Sequence, residues 1–197
     1  MAKVSLTQKG RQNLRKQASK KIKNPVTKEL RKKFNKIKKE MIKEFMSLPV
    51  TQEILQGPDG SNISGTLDGI SNLFAFIGFN KGEQPILPIL EALENTNIQY
   101  RKPLKKGQKV GAVYTVTLPT AEQIFSITPL PWATGRSWAQ GIERGLSGLG
   151  YLLRKNNKGR SGSAIQSSVK VRGGRFKNTA YISAFITKYS KRFKELK

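Results

Sequence analysis

Twelve carboxylates, 37 lysines and arginines and 18 glycines are the residues here whose types could do chemistry, because the 197-residue chain contains neither histidine nor cysteine. Without histidine the chain lacks the commonest general base, the commonest metal ligand and the usual partner of a nucleophilic serine. Without cysteine it forms no disulfide, zinc–thiolate site or thiolate nucleophile, and nothing points to an oxidising compartment. The carboxylates show no pairing with the look of a metal or acid–base site, and Glu40 with Glu44 reads as partners for the surrounding lysines. The glycines cradle no phosphate by any known spacing. Gly78-x3-Gly82 is followed by Glu83 instead of Lys-Ser/Thr, and Gly145-x2-Gly148-x-Gly150 lacks both the dinucleotide pattern and an acid at the expected distance. An enzyme is therefore not expected, nor is a metal or organic cofactor.

What remains is cationic. The formal charge is +25, and it is unevenly spread. Residues 1–45 hold 16 basic and 3 acidic side chains, 46–100 hold 1 and 6, and 101–197 hold 20 and 3. Such an excess repels itself at short range and calls for an anionic partner, either nucleic acid or an acidic protein surface in a permanent assembly. Lys16, Lys20 and Lys21 in the first stretch and Lys32, Lys36 and Lys39 in the next are the candidate polyanion contacts. A solvated face that only keeps the protein in solution is the plainer alternative. A second constellation is Trp132 and Trp138 around Arg136, followed by Glu143 and Arg144 among glycines. Tryptophan and arginine are enriched at subunit interfaces, which makes these five candidate interface residues; the plainer alternative is core tryptophans with an arginine–Glu143 bridge. Arg172-Gly173-Gly174-Arg175-Phe176 resembles one RGG element of RNA-binding tails, and a single copy is equally a turn.

The element that must carry the first cluster is residues 25–48. Val26, Leu30, Phe34, Ile37, Met41, Phe45 and Leu48 recur at steps of three or four, one stripe of an α-helix about 35 Å long. Asn24 as N-cap and Pro25 at the first helical position mark its start, and Pro49 its end. Residues 1–24, with eight basic side chains and no acid, read as a basic arm, helical when docked, and 25–197 as a single domain. Thr51 is expected to cap a short helix over 52–56, residues 73–79 to form a central strand, and 85–93 a helix with Pro88 in its first turn or kinking it. Residues 98–104 and 110–118 make a hairpin. Thr120 caps a helix through Phe125, and Pro129 and Pro131 impose an extended segment. Strands are expected at 150–154 and 164–172, around the basic loop 155–160. Asn178 caps a closing helix with Tyr181, Ile182, Phe185, Ile186, Tyr189, Phe193 and Leu196 inward and Lys188, Lys191, Arg192 and Lys194 outward. The class is α+β: a long amphipathic N-terminal helix and a C-terminal helix packed on a mixed, mostly antiparallel sheet. There is no run of 18 apolar residues and no apolar signal core, so no membrane is expected and an intracellular product is.

Pro49-Val50-Thr51, then SNISGTLDGISNLFAFIGF (61–79), then PWATGRSWAQGIERGLSGLGYLL (131–153), then a closing helix opened by Tyr181-Ile182-Ser183, together resemble the neck and tail-completion (head–tail joining) proteins of tailed bacteriophages. The likeness runs in order over 25–196, and the basic arm lies outside it. It implies a non-enzymatic virion protein, assembled in the host cytoplasm. Such a protein is a small α+β subunit forming a ring with copies of itself, usually a hexamer. The ring stands between a portal-side adaptor or head-completion protein and a tail terminator, tube or sheath, around a channel for genomic DNA. Charge alone favours a different reading, a nonspecific nucleic-acid binder of ribosomal or chromatin type. A ring subunit oligomerises without nucleic acid, whereas such a binder stays monomeric until nucleic acid is added.

Overall fold

A computed structural model of the chain describes residues 8–67, 72–106, 109–131, 133–144 and 179–196. Its first element is a 40-residue helix, α1 (Gln8–Ser47), about 60 Å long at 1.5 Å per residue. The expected start at Asn24 is corrected: the helix passes through Pro25, which gives up one backbone hydrogen bond inside a run of good helix formers on both sides. Its end is as expected. Pro49 stops α1 and opens α2 (Pro49–Leu55), so Thr51 lies inside α2 instead of capping it. A 3-10 turn, Gly57–Asp59, follows.

Residues 73–77 are helical, not a strand. In α3 (Leu73–Ile77) the Asn72 side chain accepts the Ala75 N–H at 2.8 Å, and Gly78, at φ 88°, closes the far end in the left-handed conformation that glycine adopts without penalty. An apolar run this short has no readable period, so its caps decide its type. α4 (Leu87–Glu94) carries Pro88 in its first turn. β1 (Asn97–Lys106) and β2 (Lys109–Thr117) form the antiparallel hairpin, with a register irregularity at Tyr100 to Lys102. α5 (Ala121–Ser126) opens with a capping box in which Thr120 and Gln123 satisfy each other's backbone N–H groups. β3 (Pro129–Leu130) pairs with β4 (Ala133–Ser137), and α6 (Trp138–Arg144) follows without a break. α7 (Ile182–Lys194) closes the fold. The strands expected at 150–154 and 164–172, the 155–160 loop, the RGG element and the Asn178 cap lie outside the described residues.

The class is α+β, and the described strands make two separate two-stranded antiparallel ribbons. The core is held mainly between helices. α7 runs antiparallel to the last third of α1: Phe193 meets Phe34 with ring centroids 5.2 Å apart, and Phe185 meets Phe45 at 5.6 Å. Trp138 of α6 sits edge-on to Phe79 and 6.4 Å from Tyr181, joining the two helical layers. The hairpin leans on this core through the paired residues Ile98 and Val116 and touches α1 again at Thr27, whose hydroxyl shares a 2.7 Å hydrogen bond with that of Tyr114.

Candidate functional site

α1 offers two faces that the core separates. Its inward residues Phe34, Met41 and Phe45 are at most 3 % exposed. At about 100° per residue, Lys28, Lys32, Lys36, Lys39 and Lys43 fall within an arc of about 80° on the side opposite Met41. All five are exposed, and the row is about 22 Å long. Arg31 is exposed beside it.

Two of the three acids on α1 are engaged by α7. Glu40 pairs with Arg192 at 2.5 Å, and both oxygens of Glu44 accept from Lys188 Nζ at 2.6 Å while one also accepts from the Tyr189 hydroxyl at 2.8 Å. The Lys188 hydrogen bond, reinforced by Tyr189, holds the Glu44 carboxyl below its ordinary pKa against the opposing pull of burial. Burial, followed by the Glu44 carboxylate, pushes the Tyr189 hydroxyl up to about 12. These half-exposed pairs contribute little individually, about 0.2–1 kcal/mol each. Their consequence is geometric: Glu40, spaced to face Lys36 and Lys43, is turned to α7, which leaves Glu29 as the acid nearest the row. Lys38 is also withdrawn, donating to the carbonyls of Glu94 and, at 2.9 Å, Thr96 at the C-terminal end of α4, where a cation meets the negative end of the helix.

The expected contacts Lys32, Lys36 and Lys39 therefore lie together on one exposed face. Lys16, Lys20 and Lys21 lie on the N-terminal part of the same helix, and of these three only the backbone is described. From residue 8 to Val26, about 28 Å of helix, no side chain among those described is buried; Leu14 is 52 % and Val26 42 % exposed.

The second constellation divides. Trp138 is 1 % exposed and packed against this subunit's own aromatics, so it is a core residue and not a surface anchor. Glu143 is spent internally, accepting the Ser183 N–H at 2.5 Å and the Ser183 hydroxyl at 2.6 Å, which ties α6 to the first turn of α7. Arg136 and Arg144 are exposed, and Trp132 lies outside the described residues.

Two buried polar contacts have no counterpart in the sequence reading. Thr51 and Tyr181, 0 % and 3 % exposed, share a 2.8 Å hydroxyl–hydroxyl hydrogen bond. Glu53, also 0 % exposed, accepts the N–H groups of Leu73 at 2.7 Å and Ser64 at 2.8 Å, pinning the segment before α3 to α2. Its position one residue from the α2 core stripe was the only available signal. Among the described residues no three acidic side chains gather as a metal ion requires, and no helix is long and apolar enough to cross a membrane. Compared with known protein families, curated proteins and solved structures, the chain matches none.

Proposed function

We propose that this chain is a structural subunit of a tailed-phage neck, a ring of identical copies that joins the head-completion layer to the tail around the DNA channel. The observation that carries the reading is that two elements project from one core. No described side chain of α1 from Gln8 to Val26 is buried, and the β1–β2 ribbon pairs with no third strand among the described residues. A helical stretch with no described side chain buried and a two-stranded ribbon with unpaired edges each gain stability when a neighbour covers them. A subunit completed by its neighbours is the economical account of both, and it agrees with the resemblance over 25–196. The exposed arginines Arg136 and Arg144 are the basic side of the proposed contact, and the exposed acids Asp59, Glu83, Glu91 and Glu94 the complementary side on the next copy. A ring needs two different patches of this kind on each subunit.

The lysine row favours a second reading, a nonspecific nucleic-acid binder that works as a monomer. Light scattering on nuclease-treated protein separates the two. A defined multiple of the subunit without nucleic acid supports the neck reading, and a monomer that associates only on added DNA supports the other.

A further inference from the structure

We propose that the row Lys28, Lys32, Lys36, Lys39 and Lys43 is a phosphate-tracking surface for duplex nucleic acid, read without regard to base sequence. The proposal goes beyond the neck reading and does not depend on ring closure, since the row belongs to a single subunit.

Three observations carry it. The five cations share one exposed ridge, and at about 22 Å it matches the rise of some six to seven base pairs at about 3.4 Å each. The carboxylate best placed to quench it, Glu40, which lies four residues after Lys36 and three before Lys43, is drawn off by Arg192 of α7, so the fold itself keeps that end of the ridge cationic. Finally, the large apolar side chains that stand exposed, Leu14, Val26, Leu55, Ile63, Leu87 and Ile127, all lie outside the row. Protein–protein contacts are depleted in lysine and anchored by aromatic residues, methionine and arginine; the row itself holds none of these, and the one exposed arginine of residues 28–43, Arg31, stands at its edge. Single-stranded nucleic acid is held by aromatic platforms, which the row also lacks. Lysines at helical spacing with no anchor between them suit a regular line of phosphates, where cations position the backbone and carry no sequence information.

The test is the salt dependence of binding to a fluorescent 12-base-pair duplex by the full chain. Each phosphate contact contributes about 0.9 to the slope of log K against log salt. Replacing the five lysines by glutamine, which retains helix propensity, should lower that slope by about 4 to 5. The milder K32Q/K36Q/K39Q variant should lower it by about 3. Replacing all five by arginine should leave it in place. A charge-matched variant with Lys9, Lys81, Lys102, Lys191 and Lys194 changed to glutamine should lower it by less than about 1. Equal losses from the two five-site glutamine variants would show diffuse attraction and overturn the assignment. So would displacement of the duplex by polyglutamate as effective as by unlabelled duplex of equal charge, which would mark an acidic protein as the partner.

Discussion

Replacing Thr51 by valine and Tyr181 by phenylalanine, singly and together, tests how the start of α7 is locked to α2. The two hydroxyls are 130 residues apart in sequence, 2.8 Å apart in space and shut off from water. Each substitution keeps the shape of the side chain and removes one partner. Tyr181→Phe strands the Thr51 hydroxyl, and Thr51→Val strands that of Tyr181, in surroundings where an unsatisfied polar group costs about 1–3 kcal/mol. Thr51 sits within α2 and can turn its hydroxyl towards a carbonyl one turn earlier, so Tyr181→Phe should fall near the lower end of that range. Removing both leaves nothing unsatisfied, and the double variant should be no less stable than the worse single one. The cycle should then give a favourable coupling of about 1–2 kcal/mol between the two residues. Urea unfolding followed by far-ultraviolet circular dichroism reads each corner, with unchanged m-values as the check that only stability moved. Additivity within about 0.5 kcal/mol would mean that the hydroxyls do not interact and that α7 is positioned by apolar packing alone.

Brief trypsin digestion should trim the segment before Val26 before it cuts residues 27–47, where the hairpin and then α7 cover α1; early cutting within 27–47 would show that the covered stretch is no better protected. Stability should fall at both ends of the pH scale. The depressed Glu44 pKa contributes stability that is present above the ordinary carboxylate value and lost as pH falls through the folded value, while Tyr189 contributes stability that is full below pH 10 and lost as pH rises to about 12. In Glu44→Gln the acid limb of the urea midpoint against pH should be flatter, and an unchanged limb would place the acid sensitivity elsewhere. Arg136→Glu with Arg144→Glu should leave the circular dichroism unaltered and abolish ring formation in light scattering, whereas normal assembly would remove these two residues from the interface.

The parts of the fold legible in the sequence are those where local chemistry and tertiary packing agree. The steps Phe34, Met41, Phe45 and Phe185, Tyr189, Phe193 mark the faces on which α1 and α7 meet, and Thr120 with Gln123 announces α5. Reading failed where a local signal had two meanings. Pro25 after Asn24 has the form of a helix start, yet α1 continues through it. The run 73–77 reads as a strand by composition and is a helix by its caps, Asn72 and Gly78. The site was half legible. Lys32, Lys36 and Lys39 follow from helical spacing alone. That their neighbour Glu40 does not neutralise them depends on Arg192, 152 residues away, and no local pattern reveals it. For the same reason Trp138 and Glu143, read as interface residues from their company of glycines and arginines, serve the interior and the α6–α7 tie.

Negative-stain electron microscopy of the nuclease-treated protein at micromolar concentration tests the neck reading most directly. Uniform rings of identical subunits with an open centre, six-fold in the expected case, are the predicted result. A field of single compact particles that form no rings in the absence of nucleic acid would contradict it.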